Sequence, residues 1–325
     1  MPRELGDSVV VVTGASSGIG RAAARAFAER GASVALAARS EDSLREVADE
    51  CEAAGGQVLV VPTDVADEEA VQELARRTAE RFGRIDVWVN DAAVMAYGSF
   101  EEIPSEVYRR VIETNLFGQI NGARAVLPYF REQEGGGVLI NIASMWSRVT
   151  SPEVSSYVTS KHGVLGFSEC LRQALHDEKD IHVCAILPIC VDTPIFRHAG
   201  NYTGRAIKPI PPVVDPERVV KAILSCAQRP RREVIVGLTG HLLRWAHTLT
   251  PGLYDLLVPY VFGRGAFLSE PADRGPGNVL EPMPEWNRLD GGWRGDGNAL
   301  LRRGALVGGA ALAPLLAYRM FRRRG

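Results

Sequence analysis

A glycine-rich turn near the N-terminus limits what this chain can fold into more than any other stretch. Ser8 to Val12 is a short β-branched run, the profile of a strand buried on both faces. Thr13-Gly14-Ala15-Ser16-Ser17-Gly18-Ile19-Gly20 follows at once, and an alanine-rich helix then runs to about Arg30, where Gly31 ends it. A turn set between a buried strand and a helix aims backbone N–H groups and the positive end of the helix at one spot, which suits a phosphate. Gly14 permits the tight turn, Gly18 permits close approach to a pyrophosphate, and Gly20 permits close helix packing. Ser16, Ser17 and Ile19 complete the loop as cofactor-binding candidates.

Strand and helix signals then alternate along the chain. Ser33–Ala38, Gln57–Val61, Asp86–Asn90, Gly137–Ile142, Ile181–Leu187 and Glu233–Val236 read as strands. Ser40–Ala54, Asp67–Arg81, a long stretch from about Ser105 to Phe130, Ser155–Glu178 and Asp215–Gln228 read as helices. The strands are apolar throughout instead of alternating, so both their faces are covered. This predicts an α/β protein with a doubly wound parallel sheet, the Rossmann fold, over residues 1–240, followed by a C-terminal extension.

At the end of the second strand an NAD enzyme usually carries an acid for the ribose 2′-hydroxyl. This chain has Ala38 and then Arg39, and a guanidinium suits a 2′-phosphate. NADP(H) is therefore the expected cofactor. Asp64 and Val65, after the third strand, are placed to meet the adenine, and Asp64 reads equally as a cap for the helix beginning near Asp67.

In Ser155-Ser156-Tyr157-Val158-Thr159-Ser160-Lys161, helical spacing puts Tyr157 and Lys161 on one face, one turn apart. An ammonium beside a phenol favours the phenolate and lowers its pKa, which suits a general acid/base. The ordered set Thr13-Gly14-x-x-x-Gly18-x-Gly20, Asn90-Asp91-Ala92-Ala93, Asn115, Ser144 and Tyr157-x-x-x-Lys161 resembles the classical short-chain dehydrogenase/reductase (SDR) family over roughly residues 5 to 240. The resemblance implies Tyr157 as acid/base and Lys161 as the group that tunes Tyr157 and holds the nicotinamide ribose. It further implies Ser144 as the hydroxyl on the substrate carbonyl, and Asn115 as the residue ordering a water beside Lys161. Asn90, Pro188, Val191 and Thr193 match the family's cofactor contacts. Two departures stand out: Asp91 and Ala93 replace the second Asn and the Gly of the usual Asn-Asn-Ala-Gly, and Ile189 replaces the Gly of the usual Pro-Gly.

The expected substrate walls are Val94 to Tyr97, Met145 to Val154, and about Phe196 to Pro212. They carry apolar side chains without an anion-binding cluster, so a small apolar carbonyl compound or alcohol is the expected substrate. Arg148, Arg197, His198, Arg205 and Lys208 are the groups that would meet an acidic one. A net charge of −2 gives no general pull toward nucleic acid, and five scattered cysteines read as reduced thiols with no metal site. The N-terminus lacks a signal-peptide core, so the catalytic domain is expected in the cytoplasm. The family implies a homo-oligomer built on the long helices.

Residues 241–268 read as an apolar cap, an interface or a bilayer-facing segment, and residues 269–299 as a Pro/Gly-rich linker in which Trp286 and Trp293 dock locally. Residues 300–325 hold fifteen uncharged residues, Gly304 to Tyr318, flanked by six arginines, which reads as a candidate membrane anchor. Two other classes of function are open to such a chain: a catalytically silent NADP-binding regulator, and a membrane-recruited scaffold acting through its tail. The complete Ser144–Tyr157–Lys161 set speaks against the first.

Overall fold

A computed structural model describes residues 3–283 and 285–294. In chain order the elements are β1 (Val9–Thr13), α1 (Gly18–Ala28), β2 (Ser33–Ala38), α2 (Glu41–Ala53), β3 (Gln57–Pro62), α3 (Glu68–Phe82), β4 (Val87–Asn90) and β5 (Ala96–Tyr97). Next come α4 (Ser105–Ile112), a π-helical turn (Glu113–Phe117), α5 (Gly118–Glu132), β6 (Gly137–Ile142), a 3-10 turn (Met145–Ser147), α6 (Ser155–Ala174) and β7 (Ile181–Pro188). The chain continues through α7 (Ile195–His198), β8 (Gly200–Asn201), β9 (Arg205–Ile207), α8 (Pro216–Gln228), β10 (Glu233–Val236), α9 (Leu238–Leu249), α10 (Pro251–Gly265) and β11 (Phe267–Pro271).

Seven strands form one parallel sheet in the order β10-β7-β6-β4-β1-β2-β3. β1 pairs with β2 on one side, Val9 opposite Ser33, and with β4 on the other, Val10 opposite Val87. The strand order reverses between β1 and β4, and a doubly wound sheet opens its ligand crevice there, beyond the carboxyl ends of the strands. Both faces are covered: Phe27, Leu44 and Ile223 pack on one, and Leu74, Val126 and Phe130 on the other. That double burial is why the strand runs show no polar alternation. A third apolar cluster, including Tyr97, Tyr157, Phe196, Phe262 and Phe267, lies beyond the strand ends and walls the crevice.

The expected single helix from Ser105 to Phe130 is three consecutive pieces, with the π-helical turn in the middle. Sequence periodicity does not resolve one extra residue in a turn, and such turns recur at functional sites. The largest difference from expectation lies at the C-terminus. Residues 269–294 do not form a linker. β11 pairs antiparallel with β9, Asn201 and Gly275 exchange main-chain hydrogen bonds (2.8 and 2.9 Å), and the chain then crosses the nucleotide end of the crevice. Leu289 packs on the core beneath α1, and the Arg197 guanidinium lies 4.4 Å from the Trp286 ring and 4.2 Å from the Trp293 ring. A Pro/Gly count cannot separate this from a flexible linker, because it ignores buried Val279 and the two stacked tryptophans.

Helices α9 and α10 close the substrate end of the crevice with Leu243, Tyr254, Val258 and Phe262, and turn Leu238, Leu242, Trp245, Leu249 and Leu256 outward. Tyr254 ties α10 down by donating to the Thr150 carbonyl at 2.6 Å. Among the described residues no helix is long and apolar enough to cross a membrane. The candidate anchor at 300–325 lies outside the described residues.

Candidate active site

The glycine loop follows from sterics. Gly14 and Gly18 have φ of 70° and 53°, where a side chain is strained. A Cβ on Gly14 would stand 2.8 Å from the Ala92 backbone, and one on Gly20 would stand 2.3 Å from the Gly14 carbonyl oxygen. The Thr13 hydroxyl accepts from the backbone N–H groups of Asp91 (3.1 Å) and Ala92 (3.3 Å), which fastens the loop after β4 to the end of β1.

Tyr157 and Lys161 leave the first turns of α6 and are both buried, as is Ser144. Lys161 Nζ donates to the Ile142 carbonyl at 2.8 Å and lies 5.5 Å from the centre of the Tyr157 ring. Ser144 opens the 3-10 turn, and its Oγ accepts from Trp146 N–H at 3.1 Å. Ser147 secures this turn to α6: its hydroxyl accepts from Ser144 N–H (3.2 Å) and donates to the Lys161 carbonyl (2.7 Å). The Trp146 and Tyr157 rings stand nearly perpendicular, with centres 5.7 Å apart.

The electrostatics correct one expectation. The Tyr157 phenol is held above its ordinary pKa, not below it. Burial is the main cause, the nearby Asp91 carboxylate adds to it, and the Ser144 hydroxyl pulls the other way. Lys161 is pushed down by burial and held up by Asp91, while Asp91 is pushed up by burial and drawn back by Lys161. Burial thus outweighs the spacing-based argument that the ammonium acidifies the phenol. Asp91, the acid found where the family has Asn, acts on both Tyr157 and Lys161. Asp91→Asn removes an anion that raises the Tyr157 pKa. The limb of the pH profile of kcat/KM for alcohol oxidation that reports the phenolate should therefore move to lower pH, by about one unit. An unmoved limb or one moved to higher pH would contradict this.

Three expected site residues, Asn90, Asn115 and Gly20, stand outside the cavity wall. Asn90 does not line the crevice. It is buried at the end of β4, where Oδ1 accepts from Trp88 Nε1 at 2.8 Å and Nδ2 donates to the Gln119 carbonyl (3.1 Å) and to Asn141 Oδ1 (3.0 Å). Its partner Asn141 stands directly opposite on β6, so the pair satisfies polar groups inside the sheet. Asn115 sits in the π-helical turn with its side chain fully used: Oδ1 accepts from Val94 N–H (2.8 Å), and Nδ2 donates to the Val94 carbonyl (2.9 Å) and Ser160 Oγ (3.0 Å). It clamps the segment after β4 and makes no side-chain hydrogen bond to Lys161. Gly20 is likewise a packing position behind the loop.

The other expected residues meet around one cavity of about 320 Å³, lined by Gly14, Ser16, Ser17, Gly18, Ile19, Arg39, Asp64, Val65, Ser144, Tyr157, Lys161, Pro188, Val191 and Thr193. Asp64 is not the cap of α3, since Asp67 accepts from Glu69 and Ala70 N–H. Asp64 accepts from Ala66 N–H at 3.0 Å and pairs with Arg110. Ile189, the large residue in place of glycine, fits because Gly237 and Gly240 face it: a Cβ at either would stand 2.5 or 3.2 Å from its side chain. Of the basic groups considered for an acidic substrate, Arg148 is paired with Glu169 and Glu233, and Arg197 is stacked between two tryptophans. His198 lines the cavity, but its Nε2 donates to the Glu285 carbonyl at 2.7 Å.

Sequence reasoning missed the far wall of the nucleotide end, where Asn278, Pro282, Met283 and Asn287 line the cavity. The tryptophans in their stretch were the available signal. Arg39 bonds to this wall and not to an acid: Nη1 donates to the Leu280 (3.1 Å) and Val279 (3.4 Å) carbonyls, and Nη2 to the Asn278 carbonyl (2.5 Å). Burial lowers its pKa from the ordinary arginine value, with Asp64 opposing. The cradle fits a dinucleotide on two counts. The loop glycines leave room where side chains would intrude, and Thr114 Oγ1 is buried on the cavity wall with no partner among the described residues.

A glycine-loop nucleotide crevice ending in a buried Ser–Tyr–Lys set defines a nicotinamide-dependent oxidoreductase. Comparison with known proteins agrees. The chain matches the short chain dehydrogenase family over residues 8–202, and it belongs to that family, the classical short-chain dehydrogenase/reductases. It is 34% identical over 273 residues to the uncharacterized oxidoreductase YxnA of Bacillus subtilis, covering 83% of this chain and 77% of that protein. It is 31% identical to an 11-beta-hydroxysteroid dehydrogenase A of Sesamum indicum over 83% of this chain and 78% of the relative. Among solved structures it resembles an alcohol dehydrogenase from Thermococcus sibiricus complexed with 5-hydroxy-NADP (TM-score 0.61, 29% identity, 70% of this chain and 95% of that one).

Proposed function

We propose that the protein is an NADP(H)-dependent oxidoreductase that interconverts an apolar ketone or aldehyde and its alcohol. The observation that carries this reading is the convergence of Ser144, Tyr157 and Lys161 on a cavity that is polar at the glycine loop and apolar at α9 and α10. A nicotinamide held in the crevice would supply or accept the hydride at the substrate carbon. The chain's own residues deal with the oxygen. Reduction builds negative charge there, and a phenol and a hydroxyl set in a dry pocket stabilise that charge as it develops.

In this reading Tyr157 donates its proton to the forming alkoxide, and in the reverse direction its phenolate takes the proton from the alcohol. A buried phenol with a raised pKa is protonated at neutral pH, the form that donates in the reducing direction. Lys161, fixed by the Ile142 carbonyl, and the loops carrying Val191 and Thr193 would hold the nicotinamide half. Ser16, Ser17, Gly18 and Ile19 would hold the phosphates. Arg39, which forms no ion pair among the described residues, would hold the 2′-phosphate.

The substrate end is apolar, and Arg148, Arg197 and His198 are engaged elsewhere, which favours an uncharged substrate. A relative named for a hydroxysteroid and a neighbour complexed with an NADP derivative are in keeping with this. The test is a panel of ketones, aldehydes and secondary alcohols followed by nicotinamide absorbance with each cofactor. Turnover is expected with apolar members and NADPH. Exclusive turnover of carboxylated or phosphorylated members would reject the substrate class. For any assay on shortened protein, the cut belongs after Arg294, because a cut after Ser269 removes a wall of the nucleotide end.

A further inference from the structure

Residues 272–283 and 285–294 form a built strap rather than a stray tail. Ala272 N–H donates to the Gly204 carbonyl at 3.1 Å, Gly275 pairs with Asn201, and Asn278 N–H donates to the His198 carbonyl at 2.8 Å. Gly277 makes the turn at φ 54°, so close to the chain at 198–199 that a Cβ would stand 2.2 Å from the His198 carbonyl oxygen. Val279 is fully buried. The buried Asp192 carboxylate accepts from Gly291 N–H (3.1 Å) and Trp293 N–H (2.9 Å), which pins the far end.

The turn delivers the Asn278, Val279 and Leu280 carbonyls to Arg39. A guanidinium carries five N–H groups. The strap carbonyls take Nη1 and one hydrogen of Nη2. Nε–H has no acceptor among the described residues, so it and the second Nη2 hydrogen are the donors left for the oxygens of a phosphate. These partners are neutral carbonyls and not a carboxylate, and Arg39 lines the nucleotide cavity.

We propose that the strap is a specificity-determining element of the cofactor site, whose carbonyls at 278–280 hold Arg39 in the pose that presents its remaining donors to a 2′-phosphate. This rests on the reading of Arg39 as the 2′-phosphate receptor. Arg39 binds the phosphate, and the strap acts through Arg39. A loose arginine would lose side-chain entropy on binding, and the strap removes that cost in advance.

The test uses the full chain and measures Kd for NADPH and NADH by nicotinamide fluorescence in Gly277→Ala, Val279→Ala and Arg39→Ala. Gly277→Ala displaces the turn that aims the carbonyls, and Val279→Ala, a smaller change, loosens the same stretch should the first variant fold poorly. Both are expected to weaken NADPH by about tenfold, roughly one charge-assisted hydrogen bond, while NADH stays near wild type. Equal loss for both cofactors, no change in their ratio, or tighter NADPH would overturn the proposal, the last because the strap would then be a competitor. Arg39→Ala separates the two readings: if it leaves the ratio unchanged, Arg39 itself is not the receptor.

Discussion

Tyr157→Phe should lower kcat by about 10²–10⁴-fold while leaving NADPH affinity essentially unchanged. The phenol is buried at the cavity wall, beside Ser144 and Trp146, and phenylalanine keeps the ring in that slot. The substitution therefore removes a proton donor without opening a hole. Lys161 Nζ donates to the Ile142 carbonyl and in the proposed reading keeps its other N–H groups for the nicotinamide half, and His162 turns Nδ1 back to the Val158 carbonyl at 3.0 Å. Stopped-flow absorbance gives the hydride-transfer rate, and fluorescence titration gives NADPH binding. Normal turnover would show that another acid protonates the substrate oxygen. Loss of NADPH binding would show that the variant disturbed the crevice and not the proton step.

Much of this was legible in the sequence, for local physical reasons. Buried parallel strands write themselves as unbroken apolar runs, and the glycine loop is forced where helix and strand nearly touch, as the 2.3 Å approach at Gly20 illustrates. Tyr157 and Lys161 are one helical turn apart, so their shared face follows from spacing alone. What was not legible depends on contacts far apart in the chain or on burial. The acceptors of Arg39 are main-chain carbonyls about 240 positions away, and no residue type announces a carbonyl. The direction of the Tyr157 shift depends on how dry the pocket is, which spacing does not encode. Asn90 carries the family's motif identity, yet its side chain turns inward to Asn141 because the register of β4 and β6 sets the two face to face.

The same long-range pairing shapes the second large effect. Arg39→Asp should reverse cofactor preference, weakening NADPH by roughly 10²-fold or more while NADH holds or improves. The arginine offers a phosphate two donors, and the substitution removes both and sets a carboxylate against a dianion. For NADH the sign is opposite, since a carboxylate at the end of β2 can accept from a ribose 2′-hydroxyl. The variant also strips three carbonyls at 278–280 of their donor, so the strap loses part of its anchorage. With Arg39 gone the strap has no guanidinium to act through, so any effect left from its loosening falls on the parts that the two dinucleotides share. The ratio of the two Kd values therefore isolates the phosphate term, and raising the salt concentration should shrink the wild-type ratio as the charge is screened. A ratio that survives Arg39→Asp would move the 2′-phosphate site to another cation, with Arg110, across from Asp64, the first to try.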